Sequence, residues 1–164
     1  MSGFNHHVYL ISYIDSSDGP IKIGYSNHPP TRLKQLQTGN PKKLIIYGNL
    51  AFKDEFAARA VEKIILSYLI DNNVNAKGEW YNIDVNLGLQ ILNFFPHNRE
   101  KLDKPLEFKD EKIINLVDLI NYGVNKEIIN DEEYDRLREI YFETDDGDRE
   151  CEFTNFIKES KNDN

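Results

Sequence analysis

One cysteine, one tryptophan and one methionine occur in 164 residues. The lone Cys151 can form no internal disulfide and cannot build a thiolate metal cluster, so neither a disulfide framework nor a Cys-based zinc centre is available. No stretch approaches the roughly 20 apolar residues of a membrane-spanning helix. Residues 1–7 lack the charged and apolar regions of a secretion signal, so the chain reads as soluble and intracellular. The patterns of a P-loop, a dinucleotide-binding glycine turn and a hydrolase nucleophile elbow are also missing. His6 and His7 are adjacent, but no third His or Cys follows at metal-binding spacing, and His28 and His97 stand alone, so a histidine metal site is not expected.

Acidic residues are missing from one particular stretch. The chain carries a formal net charge of −8, yet no Asp or Glu lies between Gly19 and Lys53, where Lys22, Arg32, Lys34, Lys42, Lys43 and Lys53 fall. Residues 1–100 hold 10 basic and 9 acidic side chains, and residues 101–164 hold 10 and 19. The acidity therefore belongs to the C-terminal part. The N-terminal part keeps a local positive potential suited to a phosphate backbone, with Lys34, Lys42 and Lys43 as expected nucleic-acid contacts.

Residues 7–14 alternate apolar and β-favouring side chains, and the cluster Asp15-Ser16-Ser17-Asp18-Gly19-Pro20 is a strong turn signal, so a hairpin returning over residues 21–25 is expected. Pro29-Pro30-Thr31 suits a helix start and Gly39 its end. Residues 44–52 read as a third strand. Asp54 reads as the N-cap of a long helix reaching about Ile70, with Val61, Ile64, Ile65, Tyr68 and Leu69 on its apolar face. A short extended segment over 79–83 and a helix over 85–95, stopped by Pro96, complete the pattern. The expected fold is α/β of the α+β kind, a small antiparallel three-stranded sheet flanked by helices. A polar stretch with a second proline sets a domain boundary, giving residues 1–97 and 98–164. The second part is an acidic, mainly helical extension, with helices expected over 112–122, 131–142 and 153–161 around the acidic run at 145–148.

On this framework, Tyr9 and Lys22 fall on the hairpin, Arg32 near the positive end of the first helix and Glu62 on the second. Phosphodiester hydrolysis needs an aligned water, charge stabilisation at phosphorus and help for the leaving oxygen. Tyr9 would align or deprotonate the water. A free tyrosine titrates near about pH 10, so deprotonation requires a lowered pKa or a metal-bound water nearby. Lys22 would contact the phosphate and tune Tyr9, and Arg32 would pair with phosphate oxygens. Glu62 has Ala58, Ile65 and Leu66 as its helical neighbours, and an acid beside an apolar face needs a partner. Mg²⁺ or Mn²⁺ bound through one carboxylate, water and phosphate suits it. Packing explanations stand beside each role: an aromatic on a sheet face for Tyr9, a solvated edge lysine for Lys22, a surface arginine for Arg32, and an ion pair with Arg59 for Glu62.

The ordered set Val8-Tyr9-Leu10-Ile11, Lys22-Ile23-Gly24, Arg32, Glu62 and Gly78-Glu79-Trp80-Tyr81 resembles the GIY-YIG nuclease superfamily. The likeness is to its compact viral and bacterial branch with a KIG second motif and a closing Gly-Glu-Trp-aromatic motif, and it covers residues 6–95. Lys22 stands where the superfamily's name has a tyrosine, which sets aside any mechanism needing two tyrosines. The resemblance implies a divalent-metal-dependent endonuclease acting on DNA, with Tyr9, Lys22, Arg32 and Glu62 catalytic and Glu62 the metal ligand. It also implies an asparagine after Glu62, for which Asn72, Asn73, Asn75 and Asn82 all qualify. The alternative is a non-catalytic nucleic-acid or protein interaction module that keeps the fold. The extension is read as a structural appendage, a protein-partner arm, or an inhibitory flap over the basic patch.

Overall fold

The two-faced strand β1 (His6–Tyr13) lies at the middle of the sheet. It pairs antiparallel with β2 (Ile21–Ser26) on one side and β3 (Leu44–Phe52) on the other. The computed structural model describes residues 3–72, 75–96, 106–108, 111–113, 115–142 and 151–156. Between β2 and β3 runs α1 (Pro29–Gln37), and β3 leads into α2 (Glu55–Asp71), whose first turn is capped by Asp54. These five elements match the expected ones within a residue or two, because period-2 alternation and capping residues are local signals.

The antiparallel α+β fold holds, but the sheet is larger than three strands. It has six, in the order β4-β5-β2-β1-β3-β8. Strands β4 (Asn75–Lys77) and β5 (Trp80–Tyr81) form a small hairpin on the β2 side, through Gly78 at φ +58°. Strand β8 (Cys151–Asn155) pairs with β3 along its whole length. A separate two-stranded ladder joins β6 (Leu106–Phe108) and β7 (Glu111–Ile113). Residues 153–155 are thus strand where a helix is expected. The free edge of β3 offers them backbone hydrogen bonds, and buried Cys151 and half-buried Phe153 alternate with exposed neighbours. Phe156 is irregular, and residues 157–161 of that expected helix, the acidic run at 145–148 and the boundary at 97 and 98 lie outside the described residues.

Two further boundaries move for local reasons. The helix α3 (Val85–Leu92) ends at Asn93, before Pro96, because Phe94 and Phe95 turn into the core. The helix α4 (Leu116–Asn125) starts four residues later than expected, where Asn115 and Asp118 form a reciprocal capping box. Last comes α5 (Asp131–Phe142).

Each face of the sheet carries its own apolar cluster. On the larger, Val8, Leu10, Ile21 and Ile23 meet α2 and α3, and α4 and α5 close the layer with Leu119, Ile120, Leu137 and Ile140. Helix α3 sits so close that a Cβ on Gly88 would fall 2.5 Å from Leu10 Cδ1. On the smaller, Tyr9, Ile11 and Leu44 pack under Leu33 and Leu36 of α1. A bulge after Leu10 re-phases β3, so that Asn49 lies opposite Tyr9 while Ile46 lies opposite Ile11. The extra residue, Tyr47, joins the larger cluster, and its hydroxyl donates to the Tyr13 carbonyl at 2.7 Å.

The acidic extension is therefore tied to the rest of the chain. Lys63 of α2 holds Glu133 of α5 at 2.9 Å, and Arg136 of α5 holds the helix cap Asp54 at 2.9 Å. Truncation after residue 98 should abolish the cooperative thermal transition, and Leu137→Ala should lower unfolding free energy by about 2–5 kcal/mol. A truncated chain that melts cooperatively at the full-length temperature would contradict this packing.

Candidate functional site

The register of β1 and β2 decides where Tyr9 sits. Its Cα partner is Gly24, and a Cβ there would lie 2.5 Å from the Tyr9 hydroxyl oxygen and 2.8 Å from Cζ. The phenol ring thus occupies the space that a side chain at position 24 would fill. Tyr9 is 2% exposed, packed on the sheet face as well as set in the site.

Lys22 faces the same side, opposite Ile11 on β1 and Trp80 on β5. It is not a solvated edge lysine. It is 4% exposed, and its ammonium is bonded to the Glu79 carboxylate, whose side chain is 76% exposed. That contact holds the Glu79 pKa below the usual carboxylate range. The same face carries Tyr13 and Trp80 stacked at 5.5 Å with only 2° between their planes, and Lys42 Nζ lies 5.3 Å from the Tyr13 ring centre.

Arg32 comes from the first turn of α1. Its helix is capped by His28, whose Nδ1 accepts from the Thr31 amide at 3.2 Å. The guanidinium donates to Gln35 at 3.1 Å and also acts on Tyr9. Gln37, at the end of α1, accepts from the Leu44 amide and donates to the Lys42 carbonyl. These bonds fix the segment bearing Lys42 and Lys43, which are exposed like Lys34.

Glu62 approaches from α2, on the opposite layer. Strand β5 pairs only with Ile21 and Lys22, so the later part of β2 lies beyond that pairing, and Glu62 reaches the backbone of Tyr25 there. The ion pair with Arg59, the packing alternative for Glu62, does not form. Arg59 gives its guanidinium to Glu55 at 2.8 Å and lies over the Tyr25 ring at 4.2 Å.

Burial raises the Glu62 pKa. The Tyr25 backbone and the charge of Arg59 oppose that rise, Glu79 adds to it and Lys22 subtracts. Burial likewise raises the Tyr9 pKa, against the pull of Arg32 and with the help of the negative charges of Glu62 and Glu79. The phenol therefore stays protonated at neutral pH, which suits aligning a water and not deprotonating one.

Residues 6–95 match the T5orf172 domain. The chain belongs to the T5orf172 domain family. The match takes in Tyr9, Lys22, Arg32, Glu62, Lys34, Lys42 and Lys43, and leaves out the acidic extension. The T5orf172 domain is phage-associated with a nuclease-like fold, and it points to nuclease or nucleic-acid-binding work with DNA as partner. No curated protein matches the chain, and no solved structure does.

Within this T5orf172 domain, no three His, Cys, Asp or Glu side chains form a metal-holding group among the described residues. His6 Nδ1 contacts the Tyr25 hydroxyl at 2.8 Å, and His7 contacts Asn49 at 3.0 Å. No helix among the described residues is long and apolar enough to cross a membrane. Of the four asparagines after Glu62, Asn72 caps α2 and donates to the Tyr68 carbonyl, and Asn82 is exposed. Asn73 and the Asn75 side chain lie outside the described residues. Sequence reasoning passed over Asn49, which carries no local signal because the bulge alone places it beside Tyr9.

Two tests follow from this geometry. Gly24→Ala should displace Tyr9 and destabilise by about 1–3 kcal/mol, as overpacking does; an unchanged melt and an unmoved tyrosine ring signal would contradict it. The second concerns Glu62. Between the ordinary carboxylate pKa and its raised folded value, the folded state binds more protons than the unfolded, so this group's contribution to stability falls as pH rises through that window. Glu62→Gln should therefore raise the melting temperature of the metal-free protein at pH 7. A lower melting temperature would show that the carboxylate is already compensated.

Proposed function

We propose that this chain is a divalent-metal-dependent endonuclease of the GIY-YIG type, hydrolysing DNA through Tyr9, Lys22, Arg32 and Glu62. The observation that carries the reading is the buried Lys22 on the sheet face that bears Tyr9, where Arg32 acts on the phenol from α1 and Glu62 acts on it from the opposite layer. Burying an ammonium and a carboxylate around an aromatic hydroxyl costs stability, and a packed core would use apolar residues there.

In this reading Arg32 pairs with oxygens of the scissile phosphate, and Lys22 supplies a second positive contact. The Tyr9 hydroxyl aligns the attacking water. Glu62 would hold the metal through its carboxylate. Its raised pKa fits such a ligand, since a cation is the partner that burial withholds. Mg²⁺ or Mn²⁺, when bound, supplies Lewis-acid stabilisation of the phosphate. Lys34, Lys42 and Lys43 extend the positive surface along the DNA backbone.

The alternative is a non-catalytic nucleic-acid-binding module. What favours it is the bond between Lys22 and Glu79, which gives the buried ammonium a partner without phosphate. Glu79 is largely exposed, so an arriving phosphate competes with it in a well-screened setting.

Plasmid, linear duplex, single-stranded and branched DNA should be incubated with Mg²⁺ or Mn²⁺ and the intact protein. Cleavage is expected on at least one substrate. Arg32→Ala should lower kcat by about 100- to 1,000-fold, and Glu62→Ala should abolish metal-dependent turnover, both with unchanged circular dichroism. Retention of DNA by the intact protein with no cleavage on any substrate would favour the binding module.

A further inference from the structure

The face of the sheet under α1 carries a polar pair that the four-residue site does not use. His7 precedes Tyr9 by two residues on β1, so both side chains leave the same face. Asn49 lies directly opposite Tyr9 on β3 and shares that face. Asn49 Nδ2 lies 3.0 Å from His7 Nδ1. With the amide placed this way its NH₂ only donates, which makes Nδ1 the acceptor and puts the imidazole hydrogen on Nε2.

This orientation costs Asn49 a hydrogen bond, because its Oδ1 is buried with no partner. A half-satisfied amide in a packed face is a liability unless the orientation it imposes is used. Burial lowers the His7 pKa, and His6 and His28 lower it further. The ring therefore stays neutral at neutral pH and presents one fixed donor on a half-buried edge.

We propose that His7, oriented by Asn49, is a phosphate-binding residue of the nucleic-acid site, presenting Nε2–H to the phosphate next to the scissile one that Arg32 and Lys22 hold beside Tyr9. Alternate residues of a strand stand roughly 7 Å apart, so the His7 contact falls on a neighbouring phosphate of the same DNA strand. Arg32 and Lys22 supply charge, and His7 supplies direction, a hydrogen bond that requires the backbone to lie along β1. This deepens the nuclease reading of the same site and rests on it.

The test uses full-length protein carrying Glu62→Ala, so that DNA stays intact, and a short DNA duplex as probe. Long-range ¹⁵N–¹H correlation of the imidazoles should show His7 as the Nε2–H tautomer in the free protein. Its Nε2 signal should move when the duplex binds. In the otherwise unaltered protein, His7→Ala should raise KM for DNA about tenfold, the worth of one hydrogen bond to a charged oxygen, with kcat nearly unchanged. His7→Gln, whose amide nitrogen reaches the same place, should recover most of the loss. Asn49→Asp should move the ring proton to Nδ1 and raise KM similarly.

An Nδ1–H tautomer in the free protein, His7 signals unmoved by bound duplex, or a wild-type KM for His7→Ala would overturn the proposal. If the duplex moves His7 but the intact protein cuts nothing, the nuclease reading falls and the phosphate contact stands. If the protein cuts DNA while His7 stays unmoved, the reverse holds. A duplex that does not bind would overturn both.

Discussion

Tyr9 lies against the sheet because the residue opposite it on β2 has no side chain. The antiparallel register that pairs Tyr9 with Gly24 also pairs Ile11 with Lys22, so one alignment sets the phenol and the ammonium on a single face. A slip of one residue between the two strands would leave them on opposite faces, one of them among the apolar side chains of α2 and α3. The bulge in β3 then brings Asn49 to the same face, and the shortness of β5 leaves the end of β2 accessible to Glu62. Side chains from both layers thereby act on one position at the edge of β2.

The charges gathered there are incompletely matched. Lys22 is buried and answered by an exposed carboxylate, while Glu62 and Tyr9 both have raised pKa values because burial outweighs the positive charges nearby. In the proposed reading, a cation at Glu62 and an anion at Lys22 and Arg32 would together relieve this mismatch, as a metal and a phosphate do. The packing of α4 and α5 onto α2 holds the helix that carries Glu62, with Glu133 and Asp54 tied to their basic partners across the two helices. The acidic extension thus contributes to the site through the position of α2.

Local signals made much of this readable. The alternation in β1, the turn after it, the prolines opening α1 and the Asp54 cap all act within a few residues, and the corresponding elements are where those signals place them. Lys22, Arg32 and Glu62 stand out as candidates because their residue types and order resemble a nuclease pattern. What stayed hidden was non-local. Nothing near residues 151–155 says that β3 has an edge to offer, so the alternation of Cys151 and Phe153 goes unread and a helix is expected from residue 153. Burial of Lys22 depends on Trp80 and Glu79 closing over it from far along the chain. The partnership of His7 with Asn49 depends on a bulge that no residue announces.

The central claim is that Glu62, Tyr9, Lys22 and Arg32 form one metal and phosphate site. Paramagnetic broadening by substoichiometric Mn²⁺, read residue by residue in the intact protein bound to a short duplex, tests it most directly. Signals of Glu62, the Tyr25 amide, Lys22 and Tyr9 should broaden first, and Glu62→Ala should remove the effect. Broadening that begins instead on the acidic surface of α5, and survives Glu62→Ala, would contradict the account.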